Sequence, residues 1–306
     1  MSSVAVVYNP IKVADLDELK REVGDRIAAA GLDAPSWLAT TEEDPGGGMV
    51  RAACADDARL ILCCGGDGTV AACAGALADL AAEAGPEHRP PALGVIPAGT
   101  GNLLARNLDL PLDVVAALDV AFGSGRRVLD VLKAGEHRFV VMAGIGFDAA
   151  LIRDTDEDLK ARIGWLAYLG GLVKALRGSP RIWFEVSIDG GPTLRRRGVG
   201  VLVGNVGKVQ GGVAVLPDAE PDDALLDVIV LSPRRALDWP VLLWRLLRRV
   251  PDSGDQAHVR TGAHVQIRAE QELPVEFDGD FDGSASELVV EVMPSAITVC
   301  VAGPDS

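Results

Sequence analysis

The chain has 306 residues, 48% of them hydrophobic, and a formal net charge of −15. That length suits two domains at roughly 150 residues each, and the acidic balance argues against a general nucleic-acid binder, which presents a basic face. It also disfavours loose adhesion to anionic membranes, and no apolar run reaches the roughly 18 residues that a spanning helix needs.

In chain order, Val4 to Tyr8 reads as a short apolar strand ended by Asn9-Pro10, with Lys12 in the following loop placed to meet a phosphate or to stay solvated. Apolar residues at 16, 19, 23 and 27 predict an amphipathic helix over 16–30, closed by Gly31. A second strand over 35–41 ends in Thr40-Thr41, and a helix follows over 49–58. Leu60 to Cys64 is the central strand, apolar throughout as a strand buried on both faces must be. It runs into Gly65-Gly66-Asp67-Gly68-Thr69 and a helix over 70–80. A strand over 92–96 then runs into a second glycine turn, Pro97-Ala98-Gly99-Thr100-Gly101-Asn102.

This alternation predicts a parallel sheet with right-handed crossovers. Ligands of such sheets lie beyond the carboxyl ends of the strands, where Asn9-Pro10, Thr40-Thr41 and both glycine turns fall. A glycine turn feeding a helix start is an anion site. Asp67 beside phosphates would repel them unless a divalent cation or a transferred proton intervenes. Neither turn has the Gly-Lys-Ser/Thr of a phosphate-binding P-loop. Gly144-Ile145-Gly146-Phe147-Asp148-Ala149 matches a dinucleotide fingerprint only weakly, because the parallel pattern has already ended.

From Arg126 the pattern changes. Strands are expected over 128–132, 139–143, 183–188, 199–203, 226–231, 264–269 and 288–293, joined largely by turns, as in an antiparallel sandwich. Helical stretches are expected over 158–176, with Trp165 and Tyr168, and over 237–250, with Trp239 and Trp244. The second reads either as a membrane-surface helix or as one packed on the sheet. The fold class is therefore a Rossmann-like doubly wound parallel α/β domain over 1–126 and an antiparallel β-sandwich over 127–294, with 295–306 packing back on the first. Five cysteines without a Cys-x-x-Cys pair read as reduced thiols of a cytosolic protein. Because the first residues enter the apolar strand directly, no signal peptide is expected.

Two acidic clusters follow in the second half. Pro217 to Asp227 suits either a hard divalent cation or plain solvation. Val275-Glu276-Phe277-Asp278-Gly279-Asp280 reads as a hairpin turn or as a turn offering a general base to a substrate hydroxyl.

Gly-Gly-Asp-Gly-Thr at 65–69, Pro-Ala-Gly-Thr-Gly-Asn at 97–102, Asn9-Pro10 and Asp278-Gly279-Asp280 together resemble the diacylglycerol kinase catalytic family, and within it the soluble bacterial lipid kinases related to sphingosine kinases. The resemblance spans nearly the whole chain. It implies an NAD kinase-like α/β domain, a β-sandwich, and ATP bound in the cleft between them. ATP would be lined by Asn9, Pro10, Lys12, Thr40, Thr41, Gly65, Gly66, Asp67, Gly68, Thr69, Thr100, Gly101 and Asn102. Asp67 would join the Mg²⁺ network, and a structural Mg²⁺ would be held by Asp223 with the carbonyls of Glu220 and Leu225. The family has Asp-Gly where this chain has Asp223-Ala224, and Asp-Gly-Glu where it has Asp278-Gly279-Asp280. The shorter Asp280 retracts its carboxylate by one methylene, on the order of 1.5 Å, which favours Asp278 as the general base.

The resemblance thus implies an ATP- and Mg²⁺-dependent lipid kinase, with diacylglycerol as the expected acceptor. Its setting would be cytoplasmic, in reversible contact with the inner face of the membrane, with no nucleic-acid partner and a homodimer left open. The alternatives are an NAD kinase and a non-catalytic ATP- or lipid-responsive regulator.

Overall fold

In a computed structural model, which describes residues 3–85, 90–146, 181–208, 214–233 and 257–303, the chain forms two compact units. The first comprises Met1–Val131, His137–Val140 and Met293–Ser306, the second Leu132–Glu136 and Val141–Val292.

In the first unit the apolar runs become parallel strands β1 (Val4–Tyr8), β2 (Ser36–Ala39), β3 (Leu60–Gly65) and β4 (Ala92–Pro97). β1 lies between β2 and β3, and β3 between β1 and β4. Every residue of β3 is buried, as expected of a strand covered on both faces. Val299, near the end of the chain, adds a further parallel pairing to Leu93 of β4.

Helix α1 (Leu16–Ala29) starts at Asp15, whose side chain accepts from Glu18 N, and buries Leu19, Val23 and Ile27 at the predicted spacing. These pack with Val4, Val6, Leu60, Leu62, Cys64 and Ile96, and with Ala117, Leu118 and Ala121 of α5 (Val114–Phe122), which follows the short α4 (Leu103–Asn107). α5 was not anticipated, since its run is too short and too uniformly apolar to show a helical stripe. The other sheet face is covered by α2 (Gly47–Ala55) and α3 (Asp67–Ala84), which contact β1 and β3 respectively. Cys64 belongs to the α1/α5 core while Cys63 meets Cys73 of α3, so these neighbours point to opposite faces as the period of a strand requires.

The second unit is antiparallel. β7 (Met142–Ile145), β10 (Gly200–Gly204), β11 (Leu226–Leu231) and β12 (Ala257–Gly262) pair in the order β12-β11-β10-β7. β13 (His264–Phe277) joins two layers. Its start pairs with β8 (Ile182–Ile188), itself paired with β9 (Leu194–Gly198), and its end pairs with β7. The switch is made between Arg268 and Leu273, where the register against β14 (Asp280–Cys300) shifts, the usual way one strand serves two sheets of a sandwich. β9 was missed because Arg195-Arg196-Arg197 hides any alternation, and β13 and β14 extend well beyond the apolar cores predicted for them.

The strand expected over 139–143 is two strands, with β6 (His137–Phe139) following β5 (Arg126–Ala134) in the chain and β7 resuming at Met142. The predicted helices over 158–176 and 237–250 lie outside the described residues. Among those described, no helix is long and apolar enough to cross a membrane.

Arg26 ties α1 to α5: its guanidinium donates to Asp119 Oδ1 (3.0 and 2.6 Å), to the Val115 carbonyl and to Glu22 Oε2. Replacing Arg26 by Met leaves the partly exposed acids to water. It should lower stability by about 1–2 kcal/mol in urea unfolding, the scale of charge-assisted hydrogen bonds near a surface.

Candidate functional site

At the carboxyl edge of the parallel sheet, the ends of β1, β2, β3 and β4 deliver Asn9, Thr40, Gly66 and Ala98 in turn. The structure therefore brings the predicted nucleotide-binding loops to one rim. Asn9 folds its loop as an Asx turn, with Oδ1 accepting from Ile11 N (2.9 Å) and Lys12 N (3.2 Å). Pro10 and Lys12 are exposed, Thr40 is buried and Thr41 is exposed. Asp44, passed over in the sequence, organises the loop after β2. It donates its N–H to Thr41 Oγ1, and its carboxylate accepts from Gly46 N and Gly48 N at the start of α2. The Asp-Pro-Gly run carried that capping signal.

The two glycine turns pack on each other. A Cβ on Gly99 would stand 2.6 Å from the Gly66 Cα, closer than real Cβ atoms come. The glycines therefore serve first to let two backbones touch, a use of the missing side chain that the sequence reading had assigned to ligand approach. Helix α3 also begins at Asp67, three residues earlier than predicted, with Gly66 as its N-cap. Gly68 and Thr69 thus lie in its first turn, where unsatisfied N–H groups and the positive dipole end converge.

Asp67 links the turns. Its Oδ1 accepts from Leu103 N (2.5 Å), and a Cβ on Gly101 would meet its Oδ2 at 2.5 Å. Asn102, left-handed at φ 49°, holds the second turn by accepting from Gly99 N (3.0 Å) and donating to the Gly99 carbonyl (2.7 Å). Thr100 stands exposed between them.

In the second unit, Asp278 and Gly279 are the two central residues of the β13–β14 hairpin, with φ values of 50° and 92°. Both positive angles are what a two-residue hairpin turn demands, and Asp-Gly suits them. Asp278 is buried: its N–H donates to the Met142 carbonyl, and its Oδ1 accepts from Val141 N and Met142 N, each at 2.9 Å. One oxygen of the expected base is thereby an anchor for the tip, while Asp280 is exposed.

Glu276 went unassigned in the sequence. Burial, then Asp280 and Asp278, push its carboxyl up to about 7 from 4.5. Its signal was visible as a third acid on the same strand end. Its seat was not, because the cross-strand partner Gly144 is far away in sequence. A Cβ on Gly144 would come within 2.8 Å of Glu276 Oε1. That explains one glycine of the Gly144–Ala149 fingerprint as strand packing; Phe147 to Ala149 lie outside the described residues.

In the acidic loop, Asp223 Oδ1 accepts from Leu225 N (2.9 Å), and Glu220 and Asp223 are exposed. Asp227, on β11, is pushed up to about 6 by burial and by Asp223 and Asp218. Among the described residues no three His, Cys, Asp or Glu side chains gather as metal ligands. A single carboxylate at Asp67 still suits Mg²⁺, which commonly takes one or two carboxylates and completes its shell with phosphate and water.

A doubly wound α/β unit with paired glycine turns, carried on one chain with an antiparallel sandwich, defines the diacylglycerol kinase-like class. Residues 3–134 match the diacylglycerol kinase catalytic domain, and residues 140–301 match the YegS C-terminal NAD kinase beta sandwich-like domain. A protein of Chromohalobacter salexigens described as a "probable lipid kinase YegS-like" is 31% identical over 298 residues, 96% of this chain and 91% of its own. One of Pectobacterium atrosepticum, with the same description, is 30% identical over 78% of this chain and 76% of its own. A crystal structure of a diacylglycerol kinase from Bacillus anthracis str. Sterne shares the fold, with a TM-score of 0.78 at 23% identity over 100% of this chain and 99% of that one. The chain belongs to the YegS-like lipid kinase family.

Two outcomes follow from this geometry. Gly99→Ala drives a Cβ into the Gly66 backbone and should cost about 1–3 kcal/mol. Gly66→Ala, whose Cβ would lie 3.4 Å from Gly99 Cα, should cost less in the same urea titration. The second concerns pH. Glu276 and Asp227 hold protons in the folded state at pH values where the unfolded chain has lost them, so their contributions favour folding at low pH. Those contributions fade as pH rises from 4.5 through about 7 for Glu276 and from 3.8 through about 6 for Asp227. Thermal melts across this range should decline less steeply with rising pH in Glu276→Gln and in Asp227→Asn.

Proposed function

We propose that this protein transfers the γ-phosphoryl group of ATP to a lipid hydroxyl, with diacylglycerol as acceptor and phosphatidic acid as product. The observation that carries the reading is the rim of the parallel sheet, where four loops converge and Asp67 is held between two glycine turns at the start of an 18-residue helix. The first-turn amides of α3 suit phosphate oxygens by hydrogen bonding and by the helix dipole. The Asx turn at Asn9 and the Asp44-braced loop at Thr40-Thr41 give the neighbouring walls a defined shape, as positioning requires. The names borne by the relatives point to the same acceptor class.

Phosphoryl transfer asks little covalent chemistry of the protein and much alignment and charge neutralisation. Asp67 would hold Mg²⁺, which when bound neutralises the phosphate charge. Asp67 itself is oriented by the Leu103 amide, so its carboxylate is fixed before nucleotide arrives. By the family resemblance Asp278 would be the general base for the attacking hydroxyl, with Asp280 as its partner or rival. Asp223, with the carbonyls of Glu220 and Leu225, remains the proposed structural cation site. Acting on a lipid calls for reversible contact with a membrane.

Radiolabelled ATP incubated with a mixed lipid extract, with diacylglycerol alone and with NAD tests this reading. Label should appear in phosphatidic acid, and Asp67→Asn should lose about 10²-fold or more in turnover, the scale of removing one electrostatic group from a transfer site, without loss of folding. Label on NAD alone would make the protein an NAD kinase; no label on any acceptor would leave the kinase reading untenable.

A further inference from the structure

Three consecutive arginines, Arg195-Arg196-Arg197, stand in a chain whose net charge is −15. They form most of β9, which pairs with β8 alone among the described residues and so leaves its other flank open. Register sets Trp183 of β8 opposite Arg197, and Glu185 opposite Arg195. Residues two apart on a strand share a face, so Arg195 and Arg197 both lie on the face of Trp183. The Arg195 guanidinium covers the indole 4.8 Å from the ring centre and stands 3.6 Å from Glu185. Arg181, just before β8, joins them: it donates to the Arg197 carbonyl (2.7 Å), and Arg197 Nε donates to the Arg181 carbonyl (3.0 Å). Arg196 and Arg197 are exposed, and neither forms an ion pair among the described residues. Trp183 is 39% exposed. The acids of this face lie on the side of β13. Glu185 sits in register between Arg195 and Arg268, and Glu270 accepts from Trp183 N (3.1 Å).

We propose that this arginine edge, with Trp183 beside it, is the surface by which the protein docks on an anionic lipid bilayer. The inference takes from the kinase reading above the need to meet a membrane, and it names the surface that does so. Guanidinium groups match phosphate oxygens in a bidentate fork. An indole places an apolar body at headgroup depth and keeps its N–H toward water. A cluster of about four basic residues is enough to draw a protein to anionic headgroups. The acidic balance of the whole chain disfavours loose adhesion but does not defeat a local contact, because at about 0.1 M salt charges more than about 10 Å away are largely screened. Edge protection accounts for arginines on β9, since charged side chains stop a foreign strand from adding there. It does not account for a tryptophan left in water beside them. The same charges oppose a protein partner that would add as a strand, and so favour a surface of phosphates.

The test is sedimentation of the full chain with vesicles of phosphatidylcholine alone and of phosphatidylcholine mixed equally with phosphatidylglycerol. The parent should pellet with the anionic vesicles only. Arg196→Gln combined with Arg197→Gln should weaken that binding by about 25-fold, about 5-fold for each arginine. Lys20→Gln combined with Arg21→Gln removes the same charge from exposed positions of α1; it should leave binding unchanged, which separates the patch from net charge. Vesicles with brominated acyl chains should quench tryptophan emission in the parent, and less so in Trp183→Phe. Raising salt to about 0.5 M should release the parent, a check on the electrostatic part that needs no substitution. Equal binding by the parent and the variant at 196 and 197, or equal pelleting with both kinds of vesicle, overturns the assignment. Failure to bind any vesicle, together with retention on immobilised polyglutamate, makes the partner an acidic polypeptide instead. Docking needs no turnover, so an inactive chain that still pellets with anionic vesicles overturns the kinase reading and leaves this surface standing.

Discussion

Backbone contact between two glycine turns sets the rest of the candidate site. Gly66 and Gly99 lie so close that a side chain on Gly99 would overlap the neighbouring main chain. That approach allows the Asp67 carboxylate at the start of α3 to reach the Leu103 amide beyond β4. An acid at a helix N-terminus is stabilised by the dipole, and the hydrogen bond from a separate loop restrains it from turning away. The cost of fixing a carboxylate is thereby met by folding, before any phosphate arrives.

The hairpin tip of the second unit uses a different device. A two-residue turn with both angles positive forces Asp278 inward, where it ties the tip to Val141 and Met142. The carboxylates of one short segment thus divide into an anchor, an exposed acid and a half-buried acid. Like charges so near one another cannot all ionise readily, so burial together with Asp280 and Asp278 raises the carboxyl of Glu276.

Much of this was legible in the chain. Apolar runs ending in Asn-Pro, Thr-Thr and two glycine turns gave the parallel unit and its rim, because each signal is local: a strand buried on both faces and a turn that tolerates no side chain. The helix stripe at 19, 23 and 27 was equally readable. What escaped was non-local. Nothing near Gly99 tells that Gly66 is its neighbour, and nothing near Glu276 tells that Gly144 makes room for it. α5 lacked an amphipathic period because it is short and richly apolar, and β9 lacked one because three arginines occupy consecutive positions. The apolar stretch at 139–143 was read as one strand because hydropathy does not record the turn of the chain at Val140–Val141.

The pairing of Val299 with Leu93 has a bearing on biosynthesis. Residues 293–306 belong to the first unit although they leave the ribosome long after β4. The flank of β4 that receives them must wait, exposed, while the sandwich is being made. Multidomain chains often fold from the N-terminus as synthesis proceeds; here the N-terminal unit lacks one of its strands until residues beyond 293 have been made. An unpaired, apolar strand flank is a template for wrong partners, so crowded or slow translation endangers the α/β unit more than the sandwich. Trimming the last strand would injure the half of the molecule encoded first.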